Sequence, residues 1–195
     1  MIRDLTHDRN RQMFGFGLGI LGLVNGTPGV STTLTLDSPG GVAGATNGAR
    51  FIRPNMNIAF INPGTGAIRA GGARTVSTIA AAGASCVLTA VNDAAVTDND
   101  YIVRAAKGST TVVGDTAYNN EVSGALALFD DATYVNVLNN INRTTYPVFK
   151  TQVLATVGPL SDDILKRGME IADQAGEDEI KYFVSHHSVR RAYLT

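Results

Sequence analysis

The chain of 195 residues contains no tryptophan and a single cysteine, and aromatic residues make up only 7% of it. One cysteine excludes an intrachain disulfide and a metal site built from several thiolates. Cys86 lies in an apolar, strand-like run over residues 85–91, which predicts a buried thiol and not a nucleophile. The lack of disulfides favours a reducing compartment such as the cytoplasm.

Charged residues are also scarce. They form 17% of the chain and leave a net charge of −1, whereas an average domain has about 25%. A dedicated nucleic-acid-binding domain normally carries a strong basic excess, so the composition argues against that class. It leaves open a surface that merely faces nucleic acid. A low charge content is also expected where partners cover much of the surface.

Long hydrophobic runs are missing as well. The longest, over residues 13–24, has 12 residues, whereas a membrane-spanning helix needs about 20. Asp4 and Asp8 precede this run, where a signal peptide would carry basic residues. We therefore expect neither a membrane partner nor a secretion signal.

Glycine, in contrast, is abundant, with 21 residues, and turn signals separate short alternating segments. Residues 32–37 alternate like a half-buried strand. Turns that recur roughly every 8–12 residues are typical of a small antiparallel barrel or sandwich. This pattern predicts a β-rich insertion over residues 50–107. Its predicted strands cover residues 57–62, 67–69, 74–79, 85–91 and 100–105.

Two helices are expected. Residues 1–14 are polar and predict a short helix, similar to the end of a longer one. The second helix covers residues 161–175, with Ser161 as its N-cap, acidic residues in its first turn and Gly176 at its end. Apolar residues at helical spacing predict one buried stripe along it. The stripe consists of Ile164, Leu165, Gly168, Met169, Ile171 and Ala172.

The last part of the sequence predicts a strand that has few partners within the chain. Residues 181–185 have a strand-like pattern, and residues 186–194 begin a further helical turn. The backbone groups of a strand need hydrogen-bonding partners. We therefore expect this segment to be completed by other chain or by other subunits.

One motif suggests nucleotide chemistry. Residues 17–22, GLGILG, match the dinucleotide fingerprint G-x-G-x-x-G, and Asp37 follows Gly17 by 20 residues. That fingerprint requires a buried strand before the glycines and a continuous helix after them. Polar residues 7–12 precede the motif and turn residues 25–29 follow it. We interpret it as a structural loop. A nucleotide-dependent enzyme is kept as a hypothesis beside the two that are given below.

Other candidate sites are weaker. His186 and His187 would point to opposite faces of a strand and share no metal. Residues 98–100, DND, begin like a calcium loop but lack its glycine and distal glutamate, and so predict a tight turn. The acidic groups at 130–131 and 177–179 are expected to be solvated loop residues. We assign no catalytic, cofactor-binding or metal-binding residue, and we predict no cofactor and no enzymatic activity.

Four parts of the sequence, taken in order, resemble a known family. They are residues 9–21 (RNRQMFGFGLGIL), residues 50–58 (RFIRPNMNI), residues 121–125 with 142–147 (EVSGA and NRTTYP), and residues 160–185. In this order the parts resemble the helix end and glycine loop, the start of a β insertion, the end of that insertion, and the central helix with its following strand. The family is that of the tailed-bacteriophage major capsid proteins with the Hong Kong 97-type fold.

The resemblance implies a fold and a division of the chain. It implies an α+β protein, a fragment of the Hong Kong 97-like capsid fold with its axial and peripheral parts and an inserted small antiparallel β-barrel or sandwich. Residues 1–49 would supply a helix end, a glycine-rich loop and a strand of the capsid core. Residues 50–107 would form the insertion, and residues 108–195 would continue the core through the central helix 161–175.

The resemblance also implies a function. The chain would be a non-enzymatic subunit of an icosahedral phage head, assembling into pentamers and hexamers that enclose packaged DNA. Its partners would be copies of itself, scaffold, portal or decoration proteins, and DNA bound on the inner face without sequence specificity. It would be located in the virion after assembly in the host bacterial cytoplasm. Family members have further chain at both ends, so we expect a partial chain.

The main alternative comes from another functional class. The strand block at 50–107 is also typical of a β-rich binding module, such as a phage tail or surface component.

Overall fold

The computed structural model describes residues 2–41, 46–106, 108, 110–154, 161–174, 185, 189 and 191. The chain divides into two compact units, Met1–Leu128 and Phe129–Thr195. It is a mixed helix and strand protein, an α+β fold that contains a closed antiparallel β-barrel. Several predictions lie wholly or mostly outside the described residues. They concern Gly176, the acidic residues 177–179, the strand 181–185, His186 and His187, and the turn 186–194.

The first unit contains a closed six-stranded barrel. Around it the strands follow the order β1-β2-β5-β4-β3-β6, and β6 pairs with β1 to close the ring. All neighbouring pairs are antiparallel. Closure pairs the edge strands with each other and so removes free sheet edges. The strands are β1 (Ile20–Val24), β2 (Thr33–Asp37), β3 (Asn57–Ile61), β4 (Arg74–Ile79), β5 (Ser85–Leu88) and β6 (Tyr101–Arg104).

Aliphatic side chains fill the barrel. Strand β2 shows why, because Leu34 and Leu36 point inward while Thr33 and Thr35 remain exposed, as the period of two of a strand requires. Phe60 is the aromatic residue of the buried core cluster. The core cluster is therefore poor in aromatic residues, in keeping with the aromatic content of 7%. The cluster includes Leu21, Val24, Leu34, Leu36, Ile52, Ile58, Val76, Cys86, Leu88, Val96 and Ile102.

The barrel begins earlier in the chain than the insertion predicted at 50–107. Strands β1 and β2 belong to the segment 1–49, yet they pair with β6 and β5. The boundary at residue 50 therefore does not separate the barrel from the remainder of the first unit. The expected strand at 67–69 supplies only an isolated bridge between Ile61 and Ile68.

The two predicted helices are confirmed, but the burial of the second is not. Helix α1 covers Ile2–Phe14, α2 is one turn at Ala125–Leu128, and α3 covers Asp162–Gln174. The backbone N–H of Ile164 donates to Ser161 Oγ at 3.4 Å, which confirms the N-cap. No residue of α3 is buried. Five of the six predicted stripe residues, all except Met169, are half-buried, while the remaining residues of α3 are exposed. The predicted face is therefore observed, but it is only partly buried.

The second unit contains a short hairpin, β7 (Val137–Leu138) with β8 (Ile141–Asn142). The two residues between these strands, Asn139 and Asn140, have φ of 49° and 66°. Both values lie in the left-handed region, which a two-residue hairpin turn of type I′ requires and which asparagine tolerates well. Asparagine chemistry therefore fixes this turn locally.

No helix within the described ranges has the length and apolar character that a membrane crossing requires.

The single thiol gives a test of the barrel interior. Cys86 is fully buried, and this burial raises the pKa of its thiol from 9.0 to about 11. We expect iodoacetamide to modify the native protein at pH 8 much more slowly than the urea-unfolded protein, as mass spectrometry would measure. Equal rates would contradict burial of the thiol.

The raised pKa of Cys86 also makes the free energy of unfolding depend on pH. As the pH rises, the thiol of the unfolded chain ionises before the buried thiol does. The unfolded state therefore binds fewer protons between pH 9 and pH 11, and the free energy of unfolding falls across that window. Below pH 9 this contribution to stability is fully present.

Candidate functional site

The chain segments that lead into and out of the barrel lie side by side. The backbone N–H of Asn119, in the outgoing segment, donates to the carbonyl of Leu18 in the incoming segment at 3.1 Å. Farther along, Gly124 lies against the last turn of α1, since a Cβ on it would be 2.3 Å from the carbonyl oxygen of Gln12. We call this pair of neighbouring segments, residues 15–19 and 116–124, the junction.

The alternating glycines of the fingerprint are explained by the junction. Gly17 and Gly19 have φ of 79° and 74°, and a Cβ on Gly19 would lie 2.0 Å from the carbonyl oxygen of Ala117. Helix α1 precedes these glycines and strand β1 follows them. The order required for dinucleotide binding is strand, glycines, helix, so the motif lacks its structural context here. The glycines instead permit close backbone approach.

Ion pairs join α1 to the outgoing segment of the junction and to the barrel. Arg11 of α1 donates from Nη1 to Glu121 Oε2 at 2.7 Å and from Nη2 to Glu121 Oε1, and it reaches Asp8 Oδ1 at 3.0 Å. Asp8 also accepts from Arg104 Nη1, at the end of β6, at 3.1 Å. Burial alone would lower the pKa of Arg11, but its bonds to Glu121 and Asp8 outweigh this and raise that pKa. The helix, the barrel and the outgoing segment are thus joined.

Replacing Glu121 by glutamine tests these ion pairs. The amide cannot accept two charged hydrogen bonds from the buried guanidinium, so we expect the free energy of unfolding to fall by about 1.5–3 kcal/mol. Urea unfolding followed by circular dichroism measures it. Glu170→Gln on the exposed face of α3 is the matched control, with an expected change within about 0.5 kcal/mol. Equal effects of the two variants would contradict a structural role for the pair.

A cleft of about 520 Å³ lies beside the junction in the first unit. Its walls come from α1, the glycine loop and two 3-10 turns, Pro39–Gly41 and Gly48–Phe51. None of the described residues that line it is acidic. Three aromatic rings do, in a chain with few aromatic residues: Phe14, Phe16 and Phe51.

The cationic residues of the cleft differ in their pairing. Arg11 is neutralised by its carboxylate partners, whereas Arg50 forms no ion pair with any described residue. The guanidinium carbon of Arg50 lies 5.4 Å from the ring centroid of Phe51, in a cation–π contact. Arg53 donates from Nη1 to the carbonyls of Arg50 and Ile52, at 2.9 Å and 2.8 Å. His7 also lines the cleft and is exposed.

Neither of the described acidic groups singled out in the sequence forms a metal site. Asp100 is fully buried and accepts from Arg69 Nε at 2.8 Å and Nη2 at 2.7 Å. Asp98, in the same turn, accepts from the backbone N–H of Gly26. Within the described ranges there is no group of three or more potential ligands. The residues at 98–100 form a turn, as predicted.

Asp130 corrects the expectation of a solvated loop acid. It is only 7% exposed, and its carboxylate accepts from the backbone N–H groups of Tyr134 and Val135 at 3.1 Å and 2.8 Å. Arg143 Nη1 lies 3.8 Å from the same carboxylate. The neighbouring Asp131 is half-buried, and hydrogen bonds from Thr133 lower its pKa. The loop folds around Asp130, which its sequence alone does not reveal.

Sequence reasoning also missed the cleft. The resemblance places Arg50 and Arg53 at the start of a β insertion and Arg11 at a helix end, and neither assignment indicates a shared cleft. The available signal was the sequence Arg-Phe-Ile-Arg, which places two cations and a ring within four residues.

No protein-family model, curated protein or solved structure matches the chain.

Proposed function

We propose that this chain is a structural subunit of an icosahedral phage head with the Hong Kong 97-type fold, and that its inserted domain is the whole barrel, including β1 and β2 from the segment 1–49. The junction carries the proposal. Residues 9–21 resemble the helix end and glycine loop of that family, and residues 121–125 resemble the end of its insertion. The two stretches meet at the junction and through the ion pair of Arg11 with Glu121. The first and last residues of an inserted domain must lie close together, as domain termini often do.

Exposed apolar side chains support an assembling protein. Contact surfaces between subunits are commonly apolar, and exposed apolar side chains such as Val148, which is 83% exposed, could contribute to them. Repeated copies that cover such residues would form closed, symmetric oligomers. The strongly exposed members of the first unit are Met13, Phe14, Val30 and Val122, and those of the second are Phe129, Val148 and Val153.

Electron microscopy of the complete gene product tests the proposal. We expect rings of five and six copies, or closed shells. Val148→Asp is expected to reduce assembly while the melting temperature of the monomer is unchanged, because the residue is exposed. Only discrete monomers across salt, pH and crowding conditions would overturn the proposal.

The closed barrel favours a second candidate, a β-rich binding module. The barrel has its own core and no free edge, as many small binding domains do. Screening glycans and peptides against the monomer distinguishes the two. Tight binding without assembly would favour the module.

A further inference from the structure

We propose that the cleft beside the junction binds single-stranded nucleic acid, with a base stacked on Phe14 and a phosphate held by Arg50 and Arg53. This inference goes beyond the proposed function and does not depend on it. It rests on the charge, the exposed ring and the size of one defined cleft in the first unit.

The charge of the cleft favours an anion. Arg50 and Arg53 both line it, none of its described lining residues is acidic, and Arg50 has no ion-pair partner among the described residues. Arg11 contributes little net charge, because Glu121 and Asp8 neutralise it. The chain as a whole carries a charge of −1, so the guanidinium of Arg50, without an acidic partner among the described residues, contrasts with the composition.

The ring of Phe14 favours a planar partner. Phe14 ends α1 and is 64% exposed, although exposing so large an apolar surface is unfavourable. A base can stack on an exposed ring irrespective of its identity. The guanidinium of Arg50, which already lies over Phe51, adds a second flat surface beside the Phe14 ring, and this surface is cationic. Rings combined with unpaired arginine are the recurring parts of single-strand binding sites.

The size and borders of the cleft distinguish a single strand from a duplex. Its volume of about 520 Å³ falls within the range of pockets that enclose small organic groups, about 300–1,000 Å³. Exposed residues on its border, including His7 and Asn10, leave it open for a chain to continue beyond the bound unit. A duplex keeps its base faces stacked inside the helix, so it cannot use Phe14.

Fluorescence anisotropy with a labelled oligothymidylate at low salt tests the proposal. We expect Arg50→Ala and Phe14→Ala each to weaken binding fivefold or more, as loss of a phosphate contact and of a stacking ring should. Arg50→Ala should also reduce the slope of log K against log salt by about 0.7, the value for one phosphate contact on a single strand. The slope separates a charge contact from a general structural effect.

The chain offers matched controls. Arg9 is an exposed arginine of α1 that does not line the cleft, and Phe129 is an exposed phenylalanine elsewhere. Arg9→Ala and Phe129→Ala should leave binding within twofold of the parent. If Phe14→Ala unfolds, Phe14→Leu and Phe14→Tyr keep the test decisive. The tyrosine should retain binding, and the leucine, of similar bulk but without a ring, should lose it.

Several results would overturn the proposal. They are no binding at low salt, equal loss in the control variants, equal affinity for duplex DNA, and displacement of the oligonucleotide by oligoglutamate at equal concentration, which would indicate an acidic peptide ligand. Binding of thymidine monophosphate as tightly as the oligonucleotide would also overturn it, in favour of a free nucleotide. The Arg50→Ala variant should still assemble into shells. Failure of the nucleic-acid proposal, measured by oligonucleotide binding, can therefore be distinguished from failure of the capsid proposal, measured by assembly.

Discussion

Gly19→Ala is expected to lower the free energy of unfolding of the first unit by about 3–5 kcal/mol. The left-handed backbone at φ of 74° accounts for about 1–2 kcal/mol of this, and forced displacement of packed atoms for about 1–3 kcal/mol. The new Cβ would lie 2.0 Å from the carbonyl oxygen of Ala117 and 2.5 Å from its carbonyl carbon. Backbone atoms cannot rotate away as a side chain can, so the junction itself must open.

Two other glycines separate these contributions. Gly26 has the same φ of 74° with nothing within 4 Å of a built Cβ, so Gly26→Ala isolates the backbone cost. Gly114 has open space and no positive φ, so Gly114→Ala should change stability by less than about 0.5 kcal/mol. Urea titrations followed by circular dichroism measure all three. If Gly19→Ala costs no more than Gly26→Ala, the incoming and outgoing segments are not in close contact.

Arg69→Met is expected to lower the free energy of unfolding by about 3–5 kcal/mol, the usual cost of removing one partner of a buried ion pair. The carboxylate of Asp100 is fully buried, and Arg69 supplies two hydrogen bonds to it. The backbone N–H of Thr97, which also donates to Asp100, cannot neutralise the charge that remains. Methionine keeps most of the aliphatic length, so the loss reports the pairing and not the packing.

A matched arginine provides the comparison. Arg104 pairs with Asp8 at 3.1 Å, but its side chain is 44% exposed, so Arg104→Met should cost no more than about 1 kcal/mol. Adding Asp100→Asn to Arg69→Met should recover part of the loss, because no buried charge is then left alone. Thermal and urea unfolding of the three variants and the parent protein measure this. Similar losses for Arg69→Met and Arg104→Met would show that the Asp100 pair is not buried in solution.

Local pattern predicted those elements whose signal is local. Strand β2 alternates, β3 ends at a Pro-Gly turn, and α3 carries its own cap, so a few neighbouring residues determine each. Strand β1 has no such signal. It is buried throughout, and its glycine-rich sequence predicts a loop. It becomes a strand because β2 and β6 pair with it.

The candidate site could not be predicted for a related reason. Arg11 and Glu121 are 110 positions apart, and Arg69 and Asp100 are 31 apart. Nothing in the composition indicates which acid a given arginine meets. The α3 stripe shows a different limit of local pattern, because its predicted face is only partly buried. The amphipathic pattern of α3 indicates that one face is suited to burial. It does not indicate whether this chain supplies the residues that pack against that face.

The neighbouring connections also affect how such a chain can evolve. A Cβ on Gly124 would lie 2.7 Å from the carbonyl oxygen of Gly15, so the backbone on either side of the barrel is already almost joined. A single in-frame deletion or exchange of the intervening DNA could remove the barrel, or replace it with an unrelated module, without stretching the remaining polypeptide. Related genes could therefore differ by the whole barrel while they keep the flanking segments.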